Sequence, residues 1–498
     1  MKSALAAVLL VGVVIRSLAT LTPPLVVGED GAYYLVQVRA ILRGGTLAVP
    51  DFPLLFHAQA GVAWVFSLLM EQRAAIIAAV RITDALLPLA LAVPVYLFAR
   101  AFVRSGDRAA AGVLAVVLVG LVAVVSGNSL LMAGGMIKNA VALPCSFFFL
   151  FAAHEWLRGG RPAAVAWAVL WFSLASLTHM GGFVLCAAFG ASVLALGLTS
   201  RAVRPRVRLP ALVLTACLAG CLAILYAIDP ERAQRLVRAA VAPGWLLAGA
   251  RDLFRAGGGS AGTAGALLTS PEVWLGVTLG LLGLVVLWRH RAGMDASTRV
   301  LLAASTLVTL AFASPLVQPE ILERLALLAY VPGMIPVVYL VCREVRSAVA
   351  IAPLVAVVML QGALEVKTLR VTTLVPAAHE ELVRYRSVLP PGRVTVIARP
   401  LLRWWVAWTM ETHFATRVEP ALAARDAYDG VLVLDEIRAG AFGVAPAPRG
   451  VGSLAAGVRD AILLRSEAVT TLAEGAYFRL SRVEPAGSPP GAERVEGK

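Results

Sequence analysis

Charge is scarce in this 498-residue chain: Asp, Glu, Lys and Arg together make up 15% of it. A soluble chain carries about a quarter. Apolar residues fill the gap, at 59% of the total, and the mean hydropathy is +0.81. They fall in blocks of about twenty, the length that crosses a bilayer as a helix. One soluble core would not absorb so many blocks, so the composition excludes an ordinary soluble protein.

Cysteine is scarce as well. Cys145, Cys186, Cys217, Cys221 and Cys342 all lie inside apolar segments. With no pair in an exposed loop, neither a disulfide framework nor a zinc site is suggested. A clean small-residue cleavage site is also missing near the N-terminus. The apolar run from Ala4 to Ile15 resumes after Arg16 and continues to Val27. It reads as an uncleaved first span and not as a signal peptide. Clear internal repeats, a mark of many transporters, are not seen, and the charges concentrate at span ends.

What is abundant is arginine at the ends of apolar blocks. The net charge is +14 and the pI about 10.2. Aromatic-flanked basic stripes are absent, so the charge is a topology signal and nucleic acid is not an expected partner. The roughly twenty-residue criterion gives about eleven spans, near 4–27, 76–99, 109–126, 139–157, 163–178, 182–199, 209–228, 272–288, 300–317, 325–342 and 348–366. One set of loops carries Arg100, Arg104 and Arg108; Arg158 and Arg161; Arg201, Arg204, Arg206 and Arg208; Arg289 and Arg291; Arg343 and Arg346. These short loops are expected on the cytoplasmic side. The alternate set, 28–75, 127–138, Thr178–Gly182, 229–271 and 318–324, then faces out. The N-terminus is expected inside and the C-terminal segment outside, in the cell (inner) membrane.

The expected fold class is thus an α-helical polytopic membrane protein with a small C-terminal α/β domain on the extracytoplasmic face. The membrane domain covers 1–367, with a first outer loop at 28–75 in which His57–Met70 is apolar but too short to cross. In 368–484, helix-like pieces (His379–Val388, Leu401–Thr412) alternate with strand-like ones (Val394–Ala398, Val431–Leu434, Ala476–Val483). The Pro/Gly-rich, charged stretch 485–498 reads as a disordered tail.

The chemistry-bearing stretch follows the first span: Gly28-Glu29-Asp30-Gly31-Ala32-Tyr33-Tyr34, then Arg39, Arg43-Gly44-Gly45 and Asp51-Phe52-Pro53. Two carboxylates at a membrane–water boundary can meet both a lipid head group and an aqueous acceptor. A solvated loop start with Tyr in the interfacial belt accounts for the same residues. Lys138 and Arg324 stand at outer span ends, where a snorkelling cation is the plain reading. His179, in Thr178-His179-Met180, and His57 are lone interfacial histidines. Arg16 is mid-span and needs a partner or a wet cavity. Arg81 and Asp84, three apart on one helix, are expected to pair. Trp404-Trp405-Val406-Ala407-Trp408 reads first as a packed helix face.

Asp30-x-x-Tyr33-Tyr34, with a following Arg, a Gly-rich turn and a Pro-containing exit, resembles the first outer loop of the GT-C glycosyltransferases. That superfamily includes the oligosaccharyltransferase catalytic subunit, protein O-mannosyltransferases and the aminoarabinose transferase of lipid A. The resemblance implies a polyprenyl-phosphate-linked sugar as donor and a lipid, glycan or protein acceptor outside the cell. It implies that Asp30 is a general base or a metal ligand, tuned by Glu29. Tyr33, Tyr34, Lys138, His179, Arg324 and His57 become candidate substrate-binding residues. The stretch Glu323-Arg324-Leu325 through Pro332 is similar to the late Arg-containing helix that meets the lipid phosphate in oligosaccharyltransferases, and the Trp cluster is a poor match to their WWDYG motif.

One departure bears on cofactors. Oligosaccharyltransferases complete a divalent-metal site with a second acidic motif. Here that loop, Ser126-Gly127-Asn128-Ser129-Leu130-Leu131-Met132-Ala133-Gly134-Gly135, has no carboxylate, and a hard cation needs several oxygen ligands. No cofactor is expected; a divalent metal is possible but not supported. The expected function is an inverting, extracytoplasmic sugar transfer with Asp30 as general base. The competing readings are a non-catalytic membrane scaffold and a transporter or flippase for a lipid-linked substrate.

Overall fold

A computed structural model of the chain describes residues 1–28, 30–103, 109–231, 233–234, 237, 271–314, 317, 319–369, 374–399, 402–415, 427–437, 441 and 468–484. The chain divides into two compact units. The first holds Met1–Leu21, Val49–Val62 and Arg81–Thr368; the second holds Thr22–Ala48, Ala63–Val80 and Leu369–Lys498.

In order, the helices up to residue 228 are α1 (Lys2–Thr20), α2 (Gly31–Gly44), α3 (Leu54–Ser67), α4 (Gln72–Leu86), α5 (Ala92–Phe102), α6 (Ala109–Val125), α7 (Gly127–Leu131), α8 (Ile137–Gly159), α9 (Pro162–Thr178), α10 (Met180–Thr199) and α11 (Arg204–Ile228). Then come α12 (Pro271–His290), α13 (Ala296–Phe312), α14 (Pro319–Glu344) and α15 (Ala352–Leu369). Each of the apolar blocks read from the sequence contains helix among the described residues. Among the described residues eight helices are long and apolar enough to cross a membrane, while α9 and α13 are shorter. The protein is a multi-pass membrane protein.

Local chemistry moved several boundaries. The first span stops at Thr20, not 27: Thr20 Oγ1 turns back onto the Arg16 carbonyl at 2.9 Å, and Pro23 and Pro24 follow. Proline lacks the N–H that a continuing helix needs. The stretch 28–75 is mostly helical, as α2, α3 and the start of α4. A 3-10 turn at Leu87–Leu91, with Pro88 at its start, joins α4 to α5. Close packing of α12 on α13 relies on small residues: a Cβ on Gly276, Gly280 or Gly283 would run into Ala313, Leu310 or Thr306. Small residues let helix backbones approach where no hydrophobic drive operates between helices.

Arg16 has found its partner. It is fully buried, with Nη1 donating to the Ser129 carbonyl and hydroxyl at 3.2 Å and Nη2 donating to the Asp84 carbonyl at 3.1 Å. Its ion pair is with the Asp84 carboxylate, which also accepts from Gly134 N at 2.8 Å. The expectation that Asp84 pairs with Arg81 is corrected accordingly: the fully buried guanidinium had more to gain from that charge than the half-exposed one.

The second unit's C-terminal part contains α16 (Pro376–Tyr385), β1 (Val394–Ile397), α17 (Arg403–Thr409), β2 (His413–Ala415), β3 (Gly430–Glu436), β4 (Ala468–Glu474) and β5 (Phe478–Glu484). The sheet order is β2-β1-β3-β5-β4, with β1 parallel to β2 and β3, and β5 antiparallel to β3 and β4. β2 and β4 were not read from the sequence. The buried Glu381 of α16 accepts from the backbone N–H groups of Ala476, Tyr477 and Phe478, and so holds the β4–β5 turn. The tail expected at 485–498 lies outside the described residues.

Candidate active site

In the first unit, Lys138 stands in the first turn of α8. Its ammonium pairs with the Asp51 carboxylate and lies 5.6 Å from the centre of the Phe56 ring. Asp51 is buried and also accepts from Phe52 N at 2.8 Å. Lys138 is therefore held by an anion already inside the protein. The sequence quoted Asp51 as part of the loop motif but gave no sign of this partner, 87 positions away.

His179 joins α9 to α10. Its Nδ1 accepts from Gly181 N at 2.9 Å, capping α10. In the neutral ring the proton then sits on Nε2. A Cβ on Gly181 would meet Asn139 Oδ1 at 2.9 Å, His179 Nδ1 at 3.0 Å and Leu328 Cδ1 at 3.1 Å. The first turns of α8 and α10 thus converge on a middle turn of α14. Helix N-termini carry partial positive charge and unpaired N–H groups. Arg324 is exposed, one turn before Leu328 on α14. A small apolar cleft flanks the same region, with Phe52, Pro53, Leu177, Met180 and Phe183 in its wall. His57 is exposed in the first turn of α3.

In the second unit, Asp30 occupies the N-cap position of α2, half-buried, and its side chain makes no capping bond to the helix. Glu29 lies outside the described residues. Tyr33 and Tyr34 are buried in the first turn, edge to face at 5.5 Å. Tyr33 also lies 4.6 Å from the Trp404 ring and accepts from Gln37 Nε2 at 2.9 Å. The Trp cluster forms α17, and all three rings are buried. As the simpler reading held, it is a packed helix face, and its cover is α2, the helix that begins at Asp30.

Further along α2, Arg39 donates to the carbonyls of Ala407 at 2.6 Å and Trp408 at 3.0 Å. Arg39, Arg43 and Arg386 all face the Glu411 carboxylate, at 3.6, 2.9 and 3.2 Å. Burial alone would raise the Glu411 pKa. The hydrogen bond from Arg43 and the charges of Arg39, Arg43 and Arg386 outweigh it and hold the carboxyl below its usual range. Glu411 has φ 58°, a left-handed conformation that costs a non-glycine residue about 1–2 kcal/mol. Sequence reasoning missed this cluster, because a single Glu after a Trp-rich helix carries no local signal.

The metal expectation can be tested on the donor set. Among the described residues no three His, Cys, Asp or Glu are grouped to hold an ion. The 126–135 loop offers hydroxyl, amide and backbone groups: Ser126 Oγ caps α7 by accepting from Ser129 N, and Asn128 is buried. These groups do not fit a hard divalent cation, which wants clustered carboxylates.

No family model matches the sequence, and no curated protein matches it. Solved structures do. An Archaeoglobus fulgidus oligosaccharyltransferase tethered to an acceptor peptide with an NVT sequon superposes over 87% of this chain and 69% of its own, at TM-score 0.55 and 15% identity. The archaeal oligosaccharyltransferase AglB from the same organism, in complex with an inhibitory peptide and dolichol-phosphate, covers 88% and 70% at TM-score 0.53 and 14% identity. The fold is the one seen in these oligosaccharyltransferases. ArnT from Cupriavidus metallidurans, bound to undecaprenyl phosphate, aligns over 96% of this chain and 97% of its own at 13% identity, but its TM-score of 0.43 is too low to carry an argument. At these identities the likeness speaks for the GT-C fold alone.

Proposed function

We propose that the protein is a membrane glycosyltransferase that moves a sugar from a polyprenyl-phosphate-linked donor to an acceptor on the extracytoplasmic face. The observation that carries the reading is the convergence of the α8 and α10 N-termini, with Lys138 and His179, beside an apolar cleft in a GT-C fold. Such a place suits a lipid-linked phosphate. The cleft receives the first part of the polyprenyl chain, and the helix ends with Lys138 and Arg324 face the anionic phosphate that departs. AglB, a protein of this fold, has been seen with dolichol-phosphate, which supports the same donor class.

In this reading Asp30 is the general base. The acceptor oxygen or nitrogen attacks the anomeric carbon as the bond from that carbon to the phosphate oxygen breaks. The acceptor proton passes to the Asp30 carboxylate, and the sugar inverts. Asp30 is half-buried, and α2 does not use its side chain as a cap. Tyr33 and Tyr34 fix the first turn behind it, and His57 and His179 are the remaining substrate-binding candidates. Glu29 tunes the base.

Asp30→Asn keeps the shape and removes the base. Transfer should fall by about 100- to 10,000-fold, while insertion and thermal stability stay normal. Near-normal transfer in Asp30→Asn would sink the assignment of the base, whereas absence of any transfer by the wild type would favour a scaffold that only keeps the fold. If Glu29→Gln were the inactive variant, the base would be the adjacent carboxylate.

A further inference from the structure

Three guanidinium groups meet the Glu411 carboxylate in the second unit, and a fourth lies nearby. Arg39, Arg43 and Arg386 contact Glu411 directly, and Arg73 lies in their electrostatic reach with its guanidinium 4.9 Å from the Trp408 ring centre. Arg39 approaches the same ring, at 5.1 Å. Trp408 is buried, so this platform is fixed.

We propose that Arg39, Arg43, Arg73 and Arg386 form a binding site for a phosphate-class oxyanion, with Glu411 as the resident carboxylate that an incoming anion displaces. Glu411, with the Glu71 carboxylate in reach of Arg73, leaves the cluster two positive charges in excess. Phosphate carries about −1.5 to −2 charges at neutral pH and three acceptor oxygens, which matches the cluster better. The guanidinium fork suits oxyanions held by paired hydrogen bonds.

Accessibility and anchoring divide the four. Arg43 and Arg386 are about half exposed, at 54% and 50%, and can meet a ligand from solution. Arg39 is only 13% exposed, and two carbonyls hold it, so it keeps its place without Glu411. Burial pulls the Arg39 pKa down to about 10, Glu411 opposes that, and Arg43, Arg73 and Arg386 add to it. The like charges are therefore close enough to work against one another. Glu411 is the one described non-glycine residue with positive φ. Backbone strain of this kind gathers at ligand clamps and switches.

The test uses the full-length protein in neutral detergent. Its unfolding midpoint is followed against inorganic phosphate, with sodium chloride at matched ionic strength as the reference. A saturable rise with phosphate alone is expected. Arg43→Gln and Arg386→Gln should each weaken the apparent affinity by about tenfold, the scale of one charge-assisted hydrogen bond. Glu411→Gln should tighten it by about tenfold, because the competing carboxylate is gone, even if the protein without phosphate melts earlier. A purely structural clamp predicts the opposite: no phosphate-specific rise in the wild type and none in Glu411→Gln, and that result overturns the proposal. So does unchanged phosphate affinity in both arginine variants. Dioctanoyl phosphatidic acid in place of phosphate separates the sources: tighter binding points to a lipid head group, equal binding to a free phosphate. No transfer reaction enters the assay, so its outcome is independent of the proposed transferase activity.

Discussion

Arg16 and Asp84 form an ion pair with both side chains out of solvent, 0% and 2% exposed, at 3.6 Å. Arg16 sits on α1 and Asp84 on α4, and the same two residues reach Ser129 in α7 and Gly134 just beyond it. Four segments of the membrane unit are thereby tied by one charged knot. Removing either partner strands a charge in an apolar interior, which costs about 3–5 kcal/mol. Arg16→Met and Asp84→Leu should each lower the unfolding midpoint in detergent sharply. The double variant should regain much of the loss, because it buries no lone charge. A double variant as unstable as the worse single would show that the Ser129 and Gly134 hydrogen bonds matter more than the pair.

This knot also marks where the sequence stopped being legible. The apolar blocks could be read because hydropathy over a span is a local property. The strands β3 and β5 could be read because Val431–Leu434 and Phe478–Val483 are apolar or alternate. β2 has three residues, and β4, Ala468–Glu474, is too polar to announce a strand. Arg16 visibly needed a partner, but Asp84 is 68 positions away, and Asp84 itself pointed first to Arg81, three residues off on its own helix. For the candidate site, Asp30, Lys138 and His179 were legible as residue types at span ends. The Asp51–Lys138 pair, the contact between the His179 turn and Asn139, and the Glu411 cluster depend on tertiary folding, which leaves no spacing rule in the chain.

The Glu411 cluster makes stability depend on pH. Its carboxyl is held below the ordinary value when folded, so the folded state binds its proton less readily than the unfolded one. The stabilisation is present above the unfolded value, about 4.3, and is lost as pH falls through the folded one. The side chain is 21% exposed, and solvent and salt weaken the effect. The unfolding midpoint should drop between about pH 5 and pH 3, and Glu411→Gln should remove part of that slope. An identical slope in the variant would place the acid sensitivity elsewhere.

The Arg-rich loops predict opposite sides for two points on the chain. Arg201, Arg204, Arg206 and Arg208 precede the apolar part of α11, and the second unit's C-terminal part begins near Val375. Positive loops are retained inside, so a reporter fused after Arg208 should read cytoplasmic and one after Val375 should read extracytoplasmic. Both on one side would mean that the spans between them are miscounted by an odd number.

Chelation is the last test, and it turns on what the carboxylates already do. Asp84 is consumed by Arg16 and the Gly134 N–H, and Asp51 by Lys138 and the Phe52 N–H. The 126–135 loop, where a second acidic motif would complete a metal site, contributes Ser126 and Asn128 instead. A divalent cation that took Asp51 or Asp84 as a ligand would have to displace Lys138 or Arg16, which leaves a cation unpaired in the process. If the protein transfers sugar as proposed, its rate should be unchanged after dialysis against a chelator, because Asp30 acts by taking a proton and not by holding an ion. A rate that collapses in chelator and returns with manganese or magnesium would reassign Asp30 from base to ligand. It would also require carboxylates from outside the described residues to complete the shell.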